Sequence, residues 1–173
     1  MPIWHIFHPS SVFTDPREKA ELVKSITPLY TGGGLPSFYV NVYFHKFAPG
    51  DAWTDYRYMG DVAELQGGDA VEGVRKRERP FVRFQIDQIA VHIENEEWAR
   101  RWCDKVDQAL KPHIADKGYD WEYHIDETPR SLWRINGLAA PPWKGEVERK
   151  WFVENKPTPW VEEDKTDGGD AKL

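Results

Sequence analysis

Pro2, directly behind Met1, is the residue whose type and place could do the most chemistry. Methionine aminopeptidases trim a chain readily when its second residue is small, and proline qualifies. Trimming would leave Pro2 as the first residue, with a secondary amine in place of an amide nitrogen. A free α-amino group has a reference pKa of about 7.7–8.0, and a dry pocket lowers it by penalising the charged form. A partly neutral amine at physiological pH is a usable general base or nucleophile. The plain alternative is that a proline at position two carries no chemistry, so the rest of the chain must decide.

The other reactive side chains offer less. His5 and His8 are three apart on a predicted strand, so they point to opposite faces and cannot share a metal. His45, His113 and His124 have no ligand spacing either, and no metal is expected. Cys103 lies beside an apolar helical stripe and reads as packing, not as a nucleophile. Glu122 and Asp126 form an acid pair only on paper, because strand ends are often charged. Trp4, Trp121 or Trp133 could line a pocket, and the remaining tryptophans read as core or interface anchors.

Composition narrows the class. At 173 residues the chain is one domain by length, long enough to bury a core. Its 14% aromatic content, with nine Trp, excludes a disordered chain. The net charge of −6 disfavours nucleic acid or an anionic membrane as a partner. The basic run VRKRER (74–79) stands alone in this acidic chain and reads as a solvated loop or edge. A single cysteine rules out an internal disulfide framework and fits a reducing compartment. No apolar run approaches the roughly 18–20 residues of a membrane span, and the amino terminus lacks signal-peptide features. A soluble cytoplasmic protein is expected, since a cleaved targeting sequence would be incompatible with a working Pro2.

The elements that must position Pro2 follow from periodicity. Residues 2–8 read as a strand. Thr14 offers an N-cap ahead of Asp15 and Pro16, and Leu22, Val23, Ile26, Leu29 and Tyr30 form one helical stripe ended by Gly32, Gly33 and Gly34. Residues 37–47 alternate as a strand, with Phe38, Val40, Val42 and Phe44 on one face and Tyr39, Asn41, Tyr43 and His45 on the other. This strand–helix–strand unit predicts parallel strands. WTDYRYM (53–59) could make a short strand or hairpin, and residues 61–73 look like loop. Residues 81–93 read as one long strand whose apolar phase shifts, suggesting a bulge or bend. Asn95 then caps a helix carrying Trp98, Trp102, Val106, Ala109 and Leu110, which Pro112 ends or kinks. Gly118 leads to a strand over 119–125.

Two such units side by side predict an α+β fold, a four-stranded mixed sheet with two helices on one face. The remaining pieces are a short helix from Thr128, a loop over 138–145 and a helix near 146–155, too little to cover the other face. Packing against sister subunits is the economical solution, predicting a homo-oligomer. Residues 1–155 then make the domain, and 156–173 an acidic, mobile tail apart from Trp160.

The stretches MPIWHIFHPSSVF, FVRFQIDQIAVHI and YDWEYHIDETPRSLWRING resemble the tautomerase superfamily, and within it the cis-3-chloroacrylic acid dehalogenase group and its fungal relatives. The likeness spans residues 2–155. It implies a trimer of double β-α-β units, an amino-terminal proline at the mouth of each site, and no metal or cofactor. Pro2 matches the proline base, and Tyr123 matches the tyrosine that sits beside it. Tyr30 stands where the group has a histidine late in the first helix. The group's arginine pair has no match in AVHIENEE (90–97), which holds His92 instead. Its water-activating glutamate falls near Ile135 and Asn136, with Arg134 a neighbouring anion-binding candidate and Arg83 a weaker one.

Dehalogenation or hydration of an unsaturated acid needs a cation on the carboxylate and a base for water. Without the arginine pair and the glutamate, neither is expected here. Tautomerisation asks only for one base and a few orienting donors. The expectation is therefore keto–enol tautomerisation of a small carbonyl or unsaturated acid, with Pro2 and Tyr123 catalytic and Tyr30, His92, Arg134 and Asn136 binding substrate. The alternative is a trimeric ligand-binding or interaction protein that keeps the fold without the chemistry.

Overall fold

The computed structural model describes residues 1–55, 57–60, 79–89 and 92–161. Its centre is a four-stranded sheet in the order β2-β1-β5-β6, where β1 is Ile3–His8, β2 is Asn41–Lys46, β5 is Phe81–Gln88 and β6 is Asp120–Glu127. β1 pairs parallel with β2, β5 pairs parallel with β6, and the two units join through the antiparallel β1–β5 ladder. The sheet is mixed, as the two strand–helix–strand units predict.

Helix α1 (Pro16–Thr31) connects β1 to β2, and α2 (Glu96–Leu110) connects β5 to β6. The N-cap of α1 is Asp15, not Thr14. Its carboxylate accepts from the Arg17 N–H at 2.8 Å, and Pro16 takes the first helical position, where a missing N–H costs nothing. Asn95 caps α2 as expected, accepting from the Trp98 N–H at 2.8 Å. Gly118 turns the chain into β6 at φ 75°, a backbone conformation that a side chain would strain.

Both helices lie on one face of the sheet. Trp4, Ile6 and His8 on β1, with Val82, Phe84 and Ile86 on β5, alternate with less buried neighbours and form the core beneath them. Trp4 donates from Nε1 to the Tyr30 hydroxyl of α1 at 3.0 Å, and Tyr30 meets Trp102 of α2 edge-on at 5.3 Å. Burying a side chain of this size is worth several kcal/mol, and Trp4→Ala would cost about 3–5 kcal/mol. The opposite face keeps Ile3, His5, Phe7, Tyr43 and His45 beside Arg83, Gln85 and Asp87. His5 stacks on Tyr43 at 5.5 Å, Phe7 stacks on His45 at 4.8 Å, and Tyr43 is 50% exposed.

Several expectations change. Ser37–Tyr39 is a turn of 3-10 helix, so the second strand begins only at Asn41, and Tyr39 is fully buried instead of sharing a face with Tyr43. Pro36 ahead of it has no N–H for a strand ladder, and the Tyr39 N–H closes onto the Pro36 carbonyl at 3.0 Å. The strand that starts at Phe81 is shorter than expected. It keeps one phase from Phe81 to Gln88 and ends there, and Ala90 and Val91 lie outside the described residues. The loop expected over 138–145 begins with a strand, β8 (Leu138–Ala139), which pairs with β7 (Arg134–Ile135). The hairpin reading of 53–59 holds, with β3 (Trp53–Thr54) against β4 (Arg57–Tyr58). Residues 61–73 and the basic run through 78 lie outside the described residues.

Helix α3 (Glu146–Glu154) follows, and its Trp151 is buried against Tyr39. Beyond it, the Trp151 indole donates to the Thr158 carbonyl at 3.1 Å and the Trp160 indole to the Ala139 carbonyl at 2.9 Å. Among the described residues no helix is long and apolar enough to cross a membrane.

Candidate active site

The amino terminus enters the sheet at its middle. The Asn41 N–H donates to the Pro2 carbonyl at 3.1 Å, extending the β1–β2 ladder by one residue. One step beyond the Ile3–Asp87 pair, Pro2 falls level with Gln88, and both are buried on the helix-covered side. Met1 packs against the core beside them. The α-amino group of Met1 is enclosed enough to lower its pKa from 8.0 to about 4. Burial is the main cause, the Arg130 guanidinium adds to it, and the Glu148 carboxylate opposes it.

Arg130 opens the turn after β6, and Glu148 lies one turn into α3. The guanidinium donates to one carboxylate oxygen of Glu148 and, from Nε, to the Pro141 carbonyl at 2.9 Å. The second carboxylate oxygen accepts the Lys144 backbone N–H at 2.6 Å, and Glu148 is only 1% exposed. Trp133 lies under the guanidinium at 5.5 Å and meets Tyr39 edge-on at 4.6 Å. Burial raises the Tyr39 phenol far above its usual range, and Glu148 raises it further. At neutral pH it is a donor and not a base.

Beside this group a cavity of about 540 Å³ opens between the end of α1 and the start of α2. Tyr30, Leu29 and Leu35 line one side, Trp98 and Trp102 another, and Trp143 stands at its edge. Gln88 lines it and is also level with Pro2. Lys144 lines it and also holds Glu148 through its backbone. The cavity and the amino terminus therefore share a wall.

The structure brings together some of the residues singled out from sequence and separates others. Tyr30 is in the cavity wall, with its hydroxyl accepting from Trp4 and its pKa raised by burial. Tyr123 is not beside Pro2 within the protomer. It is level with Phe84 and Ile6, two strands and four residues away, on the order of 15 Å by strand geometry. Its hydroxyl donates to Asp107 at 2.9 Å, beneath α2. His92 pairs with Glu127 at 3.1 Å, and its side chain is 78% exposed. Arg134 is exposed and donates to the Ser131 and Trp133 carbonyls. Asn136 and Gly137 form the turn of the β7–β8 hairpin with φ of 50° and 79°, the Asn-Gly pairing that a two-residue hairpin turn favours. Arg83 faces the open side of the sheet, bonded to His124 and Glu122.

Arg130, Glu148 and Tyr39 were missed in the sequence. One signal was present for Glu148. It lies three residues before Trp151 on the buried side of α3, and an acid in that phase needs a partner.

Comparison with known proteins places the chain. The family described as "Putative oxalocrotonate tautomerase enzyme" matches residues 1–156, and the chain belongs to it. Two solved structures are similar over nearly the whole chain. Native RhCC from Rhodococcus jostii RHA1 is 34% identical over 91% of this chain and 99% of its own, with a TM-score of 0.75. A probable enzyme from the thermophilic fungus Aspergillus fumigatus is 34% identical over 92% of this chain and 98% of its own, also with a TM-score of 0.75. A member of the cis-3-chloroacrylic acid dehalogenase family shares the fold, at 14% identity over 87% of this chain and 90% of its own and a TM-score of 0.58. No curated protein sequence matches. The tautomerase resemblance and the α+β double-unit fold are thereby borne out.

Proposed function

We propose that the working chain begins at Pro2 and that its secondary amine is the general base of a keto–enol tautomerisation of a small carbonyl or unsaturated acid. The observation that carries this reading is the dry setting of the amino terminus. The Met1 amine is held neutral there, and a Pro2 amine freed by trimming into the same enclosed setting would keep a lone pair at physiological pH, when an exposed terminus would be largely protonated.

The reaction is a balanced proton shuttle. The amine takes the O–H proton of the enol, the carbonyl π bond forms as the C=C π electrons reach out for a proton, and the resulting ammonium delivers that proton to carbon. Nothing is gained or lost overall, so one base suffices. The Arg130 cation beside the amine favours the neutral form before the step and an anionic enolate during it. Tyr39, held protonated by burial, is a further donor in the same group.

Tyr30 remains a substrate-binding candidate through its place in the cavity wall. Tyr123, His92, Arg134 and Asn136 would have to act from a neighbouring subunit. The reading includes a homotrimer. Among the described residues no helix covers the sheet face bearing His5, Phe7, Tyr43 and His45, and a sister subunit would cover it.

The test joins intact mass with enol-to-keto turnover of phenylpyruvate by wild type and Pro2→Ala. Loss of Met1, with turnover that disappears in the variant, supports proline catalysis. A retained Met1, no turnover, or equal turnover in both favours the binding-protein reading instead.

A further inference from the structure

We infer that the cavity between α1 and α2 is built for a carboxylate that carries an aryl group, held by its ring against tryptophans and by its charge against lysines. This rests on the proposed tautomerase reading and names the substrate class of the same site. The resemblance suggests a small unsaturated acid, and the cavity has room for a larger one.

Three observations carry it. The first is size. A volume of about 540 Å³ lies within the roughly 300–1,000 Å³ typical of pockets that enclose a drug-sized ligand. A three-carbon acid would leave most of it to water. The second is the wall. Trp98 and Trp102 are one helical turn apart on α2, and Trp143 faces the same space from the segment before α3. Indole faces and edges favour an aromatic ring over an alkyl chain of equal area.

The third is charge. Lys105 and Lys144 line the cavity, and among the described residues no Asp or Glu does. In a chain of net charge −6, a lining with two cations and no acid selects an anion. Lys144 is at the edge nearer the amino terminus. Its ammonium is 4.4 Å from the Trp143 ring centroid, and its own backbone N–H is spent on Glu148. A carboxylate held at Lys144 leaves the ring to extend along Trp102 and Trp98. Tyr30 adds its ring to the wall, because its hydroxyl is already taken by Trp4.

The test is binding, which does not depend on turnover. Tryptophan fluorescence and calorimetry are read with 3-phenylpropanoate, with propanoate, which lacks the ring, and with 3-phenylpropanamide, which lacks the charge. We expect 3-phenylpropanoate to bind at least about tenfold tighter than either control. Trp102→Ala should remove the advantage over propanoate, with its fold checked by circular dichroism because Trp102 packs on Tyr30. Lys105→Gln/Lys144→Gln, which alters two exposed side chains, should remove the advantage over the amide. Equal affinity for 3-phenylpropanoate and either control, or an unchanged preference in the double lysine variant, would overturn the inference. Selective binding without turnover would sink the proline reading and leave this one standing. Turnover without aryl selectivity would do the reverse.

Discussion

Arg130 and Glu148, 18 residues apart, form an ion pair that ties the turn after β6 to α3 on the flank of the amino terminus. The pair acts on the Met1 α-amine in opposite senses, with Arg130 lowering its pKa and Glu148 raising it, and a Pro2 amine left by trimming would feel the same two charges. Catalysis by a neutral amine is present above its pKa and lost as pH falls through it. Arg130→Gln should therefore move the acid limb of the pH–rate profile to higher pH, and Glu148→Gln should move it to lower pH. Limbs that shift in the same direction would show that the amine does not govern the profile. Arg130→Gln strands the buried Glu148 carboxylate, and urea unfolding should register a loss on the order of 3 kcal/mol.

His8 should make the fold acid-sensitive. It is 1% exposed, its Nδ1 is 2.8 Å from the Pro9 carbonyl, and burial, with Lys19 and Lys46, lowers its pKa below 6.5. The unfolded chain binds a proton below about pH 6.5, where the folded chain does not. Its stabilising contribution is therefore full above that pH and is lost as pH falls. His8→Asn keeps a donor for Pro9 and removes the titration. Denaturant midpoints between pH 7 and 5 should fall less steeply in the variant, although its stability at pH 7 drops by about 1–3 kcal/mol from lost packing on Phe13 and Phe44.

Tyr123→Phe separates a structural hydroxyl from a catalytic one. In the protomer the hydroxyl bonds to Asp107, and its removal should cost about 1 kcal/mol. If that is its whole role, phenylpyruvate turnover per folded chain stays unchanged. A fall in kcat of about a hundredfold would instead place it in the chemistry, reaching a neighbour's site.

Tyr43 offers the test of assembly. It is half exposed on the uncovered sheet face and stacked on His5. Tyr43→Arg should leave the protomer folded, because the residue touches no part of the core beneath the helices. Light scattering should then give a trimer for wild type and a smaller species for the variant.

Much of this architecture could be read from the chain. The alternation in β1 and the stripes in α1 and α2 report burial directly, because those elements each lie on one core. The turn at Ser37–Tyr39 deceived because FYVNVYF alternates past its start, and alternation does not show where pairing begins. Asn136 with Gly137 is also legible as a hairpin turn, because Asn-Gly favours the positive φ that such a turn requires. Arg130 and Glu148 were hidden for a different reason. Each belongs to its own local element, and only the docking of α3 makes them a pair. Pro2 stands out as a candidate because the chemistry proposed for it depends on position in the chain, not on a partner.

The central place of β1 has a consequence in time. Its β5 edge stays open until residues 81–88 have left the ribosome, several seconds after the amino terminus at about 5–20 residues per second. Through that interval β1 can be bordered on one side only, by β2, and Met1 is within reach of an aminopeptidase. Once β5 docks and α3 brings Glu148 to Arg130, the same methionine is packed against the core. If Met1 is removed, its trimming belongs to synthesis. A chain that folds before it is trimmed shuts its own amine in as an amide.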